Sequence, residues 1–315
     1  MQQYNPVTPE IFTELKAIVG EKYAFSDPDK LETYSRDETP DSKYARLPEV
    51  VVLPGTTEEV AHVVKLANRE RISIVPRGAG TGLACGAVPV TGGIVLSLER
   101  FDRIIEVNPD AMYMVVQAGV RTDEVQKAAK TAGMFYAGDP CSGDSCFIGG
   151  NLATNAGGNR AVKYGTTRHQ VYEFEMVTPL GDIVHLGSRL NKNTSGYCLE
   201  QLVMGSEGTL GIITQATLKL KPLPAHVIDL LAVFPDVETA IAIVGHMLRA
   251  GLNPTCVEFM DNATVQSVER FLQEKLPNSD IGHYVIIQME ADSEEDLENK
   301  TVALDDLCSA HGAIS

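Results

Sequence analysis

The run Ile148-Gly149-Gly150-Asn151-Leu152-Ala153-Thr154-Asn155-Ala156-Gly157-Gly158 constrains this chain more than any other stretch. Two Gly-Gly pairs flank small and amide residues, and bulky side chains are almost absent. As pure structure, such a run gives up core packing and costs conformational entropy on folding. It makes sense where a large planar ligand lies close to backbone, with Asn and Thr donors to orient it. A second glycine stretch precedes it. Gly78, Gly80 and Gly82 alternate with small residues in Pro76–Leu83, directly after the strand-like Ile72-Ser73-Ile74-Val75. Glycine tolerates positive φ, so this loop is expected to turn its N–H groups inward as a nest for phosphate oxygens. A tight turn between strands is the other reading, and the loop by itself leaves both open.

Two familiar phosphate loops are excluded here. The dinucleotide fingerprint started at Gly78 and Gly80 needs a third glycine where Leu83 stands, and no Gly-Lys-Ser/Thr follows as a P-loop requires. The residues beyond, Val88-Pro89 and Gly92-Gly93, lead into another strand rather than a helix. A third glycine stretch, Gly205-Ser206-Glu207-Gly208-Thr209-Leu210-Gly211-Ile212-Ile213-Thr214, reads as a turn feeding a buried strand.

Around these loops, helix and strand signals alternate. Thr8-Pro9-Glu10 opens a helix whose face carries Ile11, Leu15 and Val19, and Gly20 stands at its C-cap position. Val50–Leu53 is a short buried strand, and Thr56 with Glu59 forms a capping box for the next helix. Thr122 is read as the cap of a helix ending near Gly133. Glu173–Thr178 and Ile183–Leu186 read as a hairpin around Leu180-Gly181-Asp182. A boundary is expected at Lys221-Pro222-Leu223-Pro224, giving domains 1–224 and 225–315. Beyond it come strand Val227–Phe234, helix Val237–Ala250, strand Thr255–Met260, helix Ala263–Glu274, strand Tyr284–Met289 and helix Glu294–Ala310. This order resembles the start of a split β-α-β sheet that wants one more strand and leaves an unpaired edge.

Of the 315 residues, 44% are hydrophobic and 22% charged, a globular balance. The formal net charge of −16 opposes a nucleic-acid partner but not a small anion held by local backbone dipoles. No run approaches the ~20 apolar residues of a membrane span. Met1-Gln2-Gln3-Tyr4 shows no secretory leader. The six cysteines contain no C-x-x-C pair, so a reduced, cytoplasmic setting is expected. Cys141 and Cys146 lack the third, closely spaced cysteine of an iron–sulfur motif.

Taken in order and spacing, the three glycine stretches resemble the FAD-binding domain of the vanillyl-alcohol-oxidase superfamily, in its glycolate oxidase and D-lactate dehydrogenase branch. The resemblance runs from about Thr33 to Pro224, and Val227 onward resembles the first part of that family's cap domain. It implies an α+β fold: a two-part FAD-binding domain followed by an incomplete ferredoxin-like cap. Pro76–Pro89 resembles the pyrophosphate loop, supplying Arg77, Gly78, Ala79, Gly80, Thr81, Gly82 and Leu83. Asp139-Pro140, the glycine run and Lys163-Tyr164-Gly165 resemble the flavin-contacting segment. This assigns Asp139, Pro140, Gly149, Gly150, Asn151, Thr154, Asn155, Gly157 and Gly158 to the cofactor. The closing motif Gly205–Gly211 and the strand after it assign Glu207, Gly208, Ile212 and Ile213. The implied activity is oxidation of a small 2-hydroxy acid by hydride transfer to non-covalent FAD, with a protein or quinone as electron acceptor. A non-catalytic flavin subunit of a larger complex is the alternative.

The chain also departs from the family. Phe147 stands where the branch carries a small hydroxyl residue, and Cys85 replaces a small residue. No histidine occurs between His62 and His169, so a histidyl flavin in the first loop is excluded. Cys141 and Cys146 are read as packed small residues rather than flavin attachments. The family's catalytic groups are implied to follow the cap sheet, in a Trp-x-x-Arg motif and a later histidine motif. The chain has no Trp, and its seven histidines show no metal-site spacing. Arg77, Arg121, Arg160 and Arg168 lie in or near the flavin motifs with surface or phosphate-facing roles as their ordinary reading. No catalytic or metal residue is therefore named, and the expectation is a C-terminally incomplete enzyme that is inactive by itself.

Overall fold

The computed structural model describes residues 4–315; Met1–Gln3, on which the leader reading partly rests, lie outside it. The chain divides into two compact units. Among the described residues the first comprises 4–136, Pro140–Ala156 and Thr166–Lys221; the second comprises Ala137–Asp139, Gly157–Gly165 and Pro222–Ser315.

Two larger sheets, of four and five strands, lie in the first unit. In one, the strands run in the order Ala24–Phe25, Val50–Val52, Ile94–Ser97, Ile74–Arg77. Val50–Val52 and Ile74–Arg77 both pair parallel with Ile94–Ser97, so they flank it. The crossover joining them is the helix Thr57–Glu70. Its start follows the capping logic of its sequence: the Thr56 hydroxyl accepts the Glu59 N–H at 3.2 Å. The Glu59 carboxylate accepts the Gly55 N–H at 2.7 Å, one residue earlier than the simple box expects. The helix Pro9–Val19 packs beside it, capped by the Thr8 side chain and ended at Gly20 with φ 94°. Leu15, Val52, Val60, Val63, Ile94 and Leu96 form the heart of this core.

The second sheet is antiparallel throughout, in the order Ile104–Asn108, Tyr113–Gln117, Ile212–Lys219, Val171–Val177, Ile183–Gly187. The last two strands are the hairpin expected around Leu180-Gly181-Asp182. The central strand Ile212–Lys219 is buried along most of its length, which accounts for its continuous apolar character. Met114, Val116, Phe174, Met176, Ala216 and Leu218 pack with Ile148 and Leu152 from a short helix to form a separate core.

The second unit is a three-stranded antiparallel sheet, His226–Phe234, His283–Ala291, Cys256–Met260 in that spatial order. The helices Val237–Arg249 and Glu294–Ala310 bury Ile243, Met247, Leu304 and Cys308 against Phe234, Val285 and Ile287. The i, i+4 spacings put each helix's apolar residues on one face. The edge strand His226–Phe234 meets residues 314 and 315: Ile314 donates to the Val233 carbonyl and Val233 donates to the Ser315 carbonyl, both at 2.8 Å.

Candidate cofactor site

The site is built where the strand Ile74–Arg77 ends. Leu98 donates to the Arg77 carbonyl at 3.0 Å, and the chain then leaves the sheet into the glycine loop. Of the three loop glycines only Gly80 takes a positive φ, 75°; Gly78 and Gly82 adopt ordinary backbone, contrary to expectation. The cause of the turn lies beneath it. The Arg77 side chain folds back under the loop, donating to the Arg36 carbonyl at 2.8 Å and the Thr33 carbonyl at 3.3 Å. A Cβ on Gly80 would lie 2.1 Å from Arg77 Nη2, so glycine is required there for space as well as for φ.

Arg77 is thus a buttress. Its side chain gives two donors to backbone carbonyls beneath the loop. Burial pulls its pKa down, opposed by Tyr34, Glu99, Asp37 and Glu38 around it. The guanidinium lies 5.6 Å from the Tyr34 ring centroid. The Tyr34 hydroxyl donates to Glu99 at 2.8 Å, and burial followed by that carboxylate raises its pKa well above the usual phenol value.

The glycine run contains a helix, Ile148–Thr154, which its sequence does not announce. Gly149 is needed for packing: its N–H donates to the Ala118 carbonyl at 2.7 Å, and a Cβ would lie 2.7 Å from Ala118 Cβ. Gly150 has open space where a side chain would project. The buried Asn151 amide donates to Thr122 Oγ1 at 2.7 Å, and that hydroxyl lies 3.2 Å from Cys146 Sγ. Thr122 is therefore the first residue of its helix, with Arg121 at the cap position, and its hydroxyl serves the glycine helix instead. Asn155 ends that helix with φ 49°, and its Oδ1 accepts from the Thr166 hydroxyl and the Arg168 N–H, both at 3.0 Å.

The third motif is fastened to the second. Gly205 donates to the Leu152 carbonyl at 3.1 Å, and Glu207 donates to the Ala153 carbonyl at 2.8 Å. Gly208 packs on the Pro76 ring, where a Cβ would meet Cγ at 2.6 Å. Across the space between them, a Cβ on Gly78 would be 3.6 Å from Gly150 Cα. The three motifs enclose a cleft of about 400 Å³ lying wholly within the first unit, a size that suits a cofactor.

The cleft gathers most residues named from sequence. Arg77, Gly78, Ala79, Gly80, Thr81, Gly82 and Leu83 line one side; Pro140, Gly149, Gly150, Asn151 and Thr154 line another; Glu207, Gly208, Ile212 and Ile213 complete it. Thr154 spends its hydroxyl on the Gly150 carbonyl. Asn155 is a helix cap outside the lining. Asp139, Gly157 and Gly158 belong to the second unit, where Asp139 lies 3.4 Å from Arg160 Nε. Gly157 has ordinary φ and open surroundings. In the same unit, Lys163 and Tyr164 both hydrogen-bond the Glu290 carboxylate. Burial opposes ionisation of Glu290, but these partners outweigh it and its pKa is lowered.

Sequence reasoning missed Asp37, Phe147 and Cys146 as lining residues. Cys146 and Phe147 adjoin the glycine run and were noted only as departures. Asp37 carries no motif of its own. Among the described residues no group of three His, Cys, Asp or Glu side chains could hold a metal ion, and no helix is long and apolar enough to cross a membrane.

Comparison with known proteins adds to this geometry. Residues 48–187 match the FAD binding domain family, and residues 223–315 match the C-terminal domain of FAD linked oxidases. The chain is 40% identical to a D-lactate dehydrogenase of Anaerostipes hadrus, over 99% of this chain and 66% of that protein. It is 35% identical to the glycolate oxidase subunit GlcD of Bacillus subtilis (strain 168), over 98% of this chain and 65% of that one. A D-2-hydroxyglutarate dehydrogenase of Stutzerimonas stutzeri (strain A1501) is 34% identical over 92% and 62%. The chain thus spans 62–66% of the length of these relatives. Among solved structures, an alkyldihydroxyacetonephosphate synthase superposes with TM-score 0.84 at 24% identity, covering 99% of this chain and 62% of that one. A p-cresol methylhydroxylase superposes with TM-score 0.81 at 21% identity, covering 99% and 67%. Both likenesses show the fold. The chain belongs to the FAD-linked oxidases, and FAD is its cofactor.

Proposed function

We propose that this protein oxidises a small 2-hydroxy acid of the D-lactate or glycolate class, using FAD held non-covalently in the cleft of the first unit. The observation carrying this reading is the convergence of all three glycine motifs on one cleft, with Gly150 leaving space there and Gly80 turning the backbone. Relatives named for D-lactate, glycolate and D-2-hydroxyglutarate support the substrate class. Bound FAD supplies the hydride acceptor. This chain's residues would hold and orient it: the Gly78–Leu83 backbone would take the diphosphate, and the Ile148–Thr154 helix with Glu207–Ile213 would hold the rest.

Residues 1–224 act as the cofactor domain and 225–315 contribute to the substrate side, with a protein or quinone receiving the electrons. Non-covalent attachment is supported by Cys146, whose sulfur is buried against the Thr122 hydroxyl. Six free cysteines support a reduced, cytoplasmic setting.

Purified protein is expected to show a flavin visible spectrum and to release FAD into the supernatant on acid precipitation. Colour that stays in the pellet would contradict non-covalent attachment. Substrate class is tested in the complete gene product by anaerobic mixing with D-lactate, glycolate and D-2-hydroxyglutarate. Flavin bleaching by at least one is expected, and bleaching by none would contradict the proposal.

A further inference from the structure

Among the described residues lining the cleft, one buried side-chain polar atom has no hydrogen-bond partner. Asp37 is 6% exposed and lines the cleft. Its Oδ1 accepts the Thr39 N–H at 3.0 Å, closing a tight Asx turn. Its Oδ2 is buried and has no hydrogen-bond partner. The next residue ties this turn to the phosphate loop, because Glu38 donates to the Gly82 carbonyl at 3.0 Å. Oδ2 lies on the side of Gly82 where a side chain would project, 3.8 Å from that Cβ position.

A buried carboxylate oxygen with no donor is costly, and the protein does not relieve it internally. The nearby Arg77 exerts an attraction but gives two of its donors to the Arg36 and Thr33 carbonyls. A phosphate cannot be the missing partner, since it offers an anion to an anion. A neutral hydroxyl next to the diphosphate would supply the donor. In FAD that description fits the hydroxyls of the ribityl chain on one side and of the adenosine ribose on the other.

We propose that Asp37 is a cofactor-binding residue, its free carboxylate oxygen accepting a hydrogen bond from a hydroxyl adjoining the diphosphate. This rests on the reading that the cleft holds FAD. The orphaned oxygen is the penalty the flavin-free protein carries for a contact completed on binding.

Asp37→Asn tests the proposal, because its Oδ1 still accepts the Thr39 N–H and the turn survives. Calorimetric titration of flavin-free protein is expected to show FAD binding weakened on the order of 10–100-fold, the size of a charge-assisted hydrogen bond. ADP weakened in parallel identifies the ribose hydroxyls as the source, and riboflavin 5′-phosphate weakened in parallel identifies the ribityl chain. Inorganic pyrophosphate, which has no hydroxyl-bearing chain, is expected to bind as well as before or better. The melting midpoint of the flavin-free protein should hold or rise, and Asp37→Leu should repeat the loss of FAD affinity. Unchanged or tighter FAD binding in Asp37→Asn would overturn the proposal. So would pyrophosphate binding that falls in step with FAD, which would make Asp37 a support of the loop or a cation ligand. Wild-type protein that binds no FAD would remove the cleft reading itself, and this proposal with it.

Discussion

The two glycine stretches that frame the cleft look alike on paper and are used differently. In Gly78–Gly82 one glycine, Gly80, is required by conformation, with φ 75° and the Arg77 guanidinium directly beneath. In Gly149–Gly158 no glycine has positive φ; Gly149 is required by helix packing on Ala118, Gly150 leaves empty space, and Gly157 is required by neither. Glycine content therefore marks a place where backbone matters without saying whether turn, packing or ligand room is the reason. Each reason has its own energetic signature.

The largest effect is expected at Gly149. Gly149→Val drives a branched side chain into Ala118 Cβ and carbonyl, both backbone-anchored, and should cost about 3 kcal/mol of stability, the upper range of overpacking. Thermal unfolding checks this, and a midpoint near wild type would contradict the packing assignment. Gly80→Val comes next. Forcing a side chain into positive φ costs about 1–2 kcal/mol, and Arg77 must also move. FAD affinity should fall at least about tenfold, about 1.4 kcal/mol by the affinity relation, with far-UV circular dichroism little changed. Arg77→Lys removes the planar fork that reaches two carbonyls and should cost about 1 kcal/mol. Faster hydrogen exchange confined to residues 78–84 would locate that loss in the loop, whereas unchanged exchange would show that the buttress is unnecessary. Gly157→Ala should change stability by less than about 0.5 kcal/mol. A larger destabilisation by denaturant titration would show that this glycine is constrained after all.

Much of the fold was legible because local chemistry and tertiary structure agree. Thr8 and Thr56 cap the helices their spacing suggests, the Leu180-Gly181-Asp182 hairpin forms, and the helix Glu294–Ala310 spans the expected residues. The helix Ile148–Thr154 was not legible, since two glycines oppose helix formation intrinsically. It exists because Ile148 and Leu152 are buried in the core and the Thr122–Asn151 hydrogen bond holds it from the side. The cleft was legible from its three motifs, but the direction of the Arg77 side chain was not. It depends on carbonyls at Thr33 and Arg36, more than forty residues away in the chain. Asp37 escaped for a similar reason: an aspartate in a loop is ordinary, and only its burial beside the first glycine loop makes it notable.

Gly150 tests the central claim most directly, because it lines the cleft, nothing stands within 4 Å of where its Cβ would be, and its backbone φ is ordinary. Flavin-free wild type and Gly150→Leu would be titrated with FAD, following flavin fluorescence, with thermal unfolding of each measured alongside. The account predicts saturable one-to-one binding in wild type, a loss on the order of 100-fold or more in Gly150→Leu, about 2.7 kcal/mol by the affinity relation, and a melting midpoint close to wild type. Wild-type affinity in Gly150→Leu would contradict the claim that FAD occupies the cleft enclosed by the three glycine motifs.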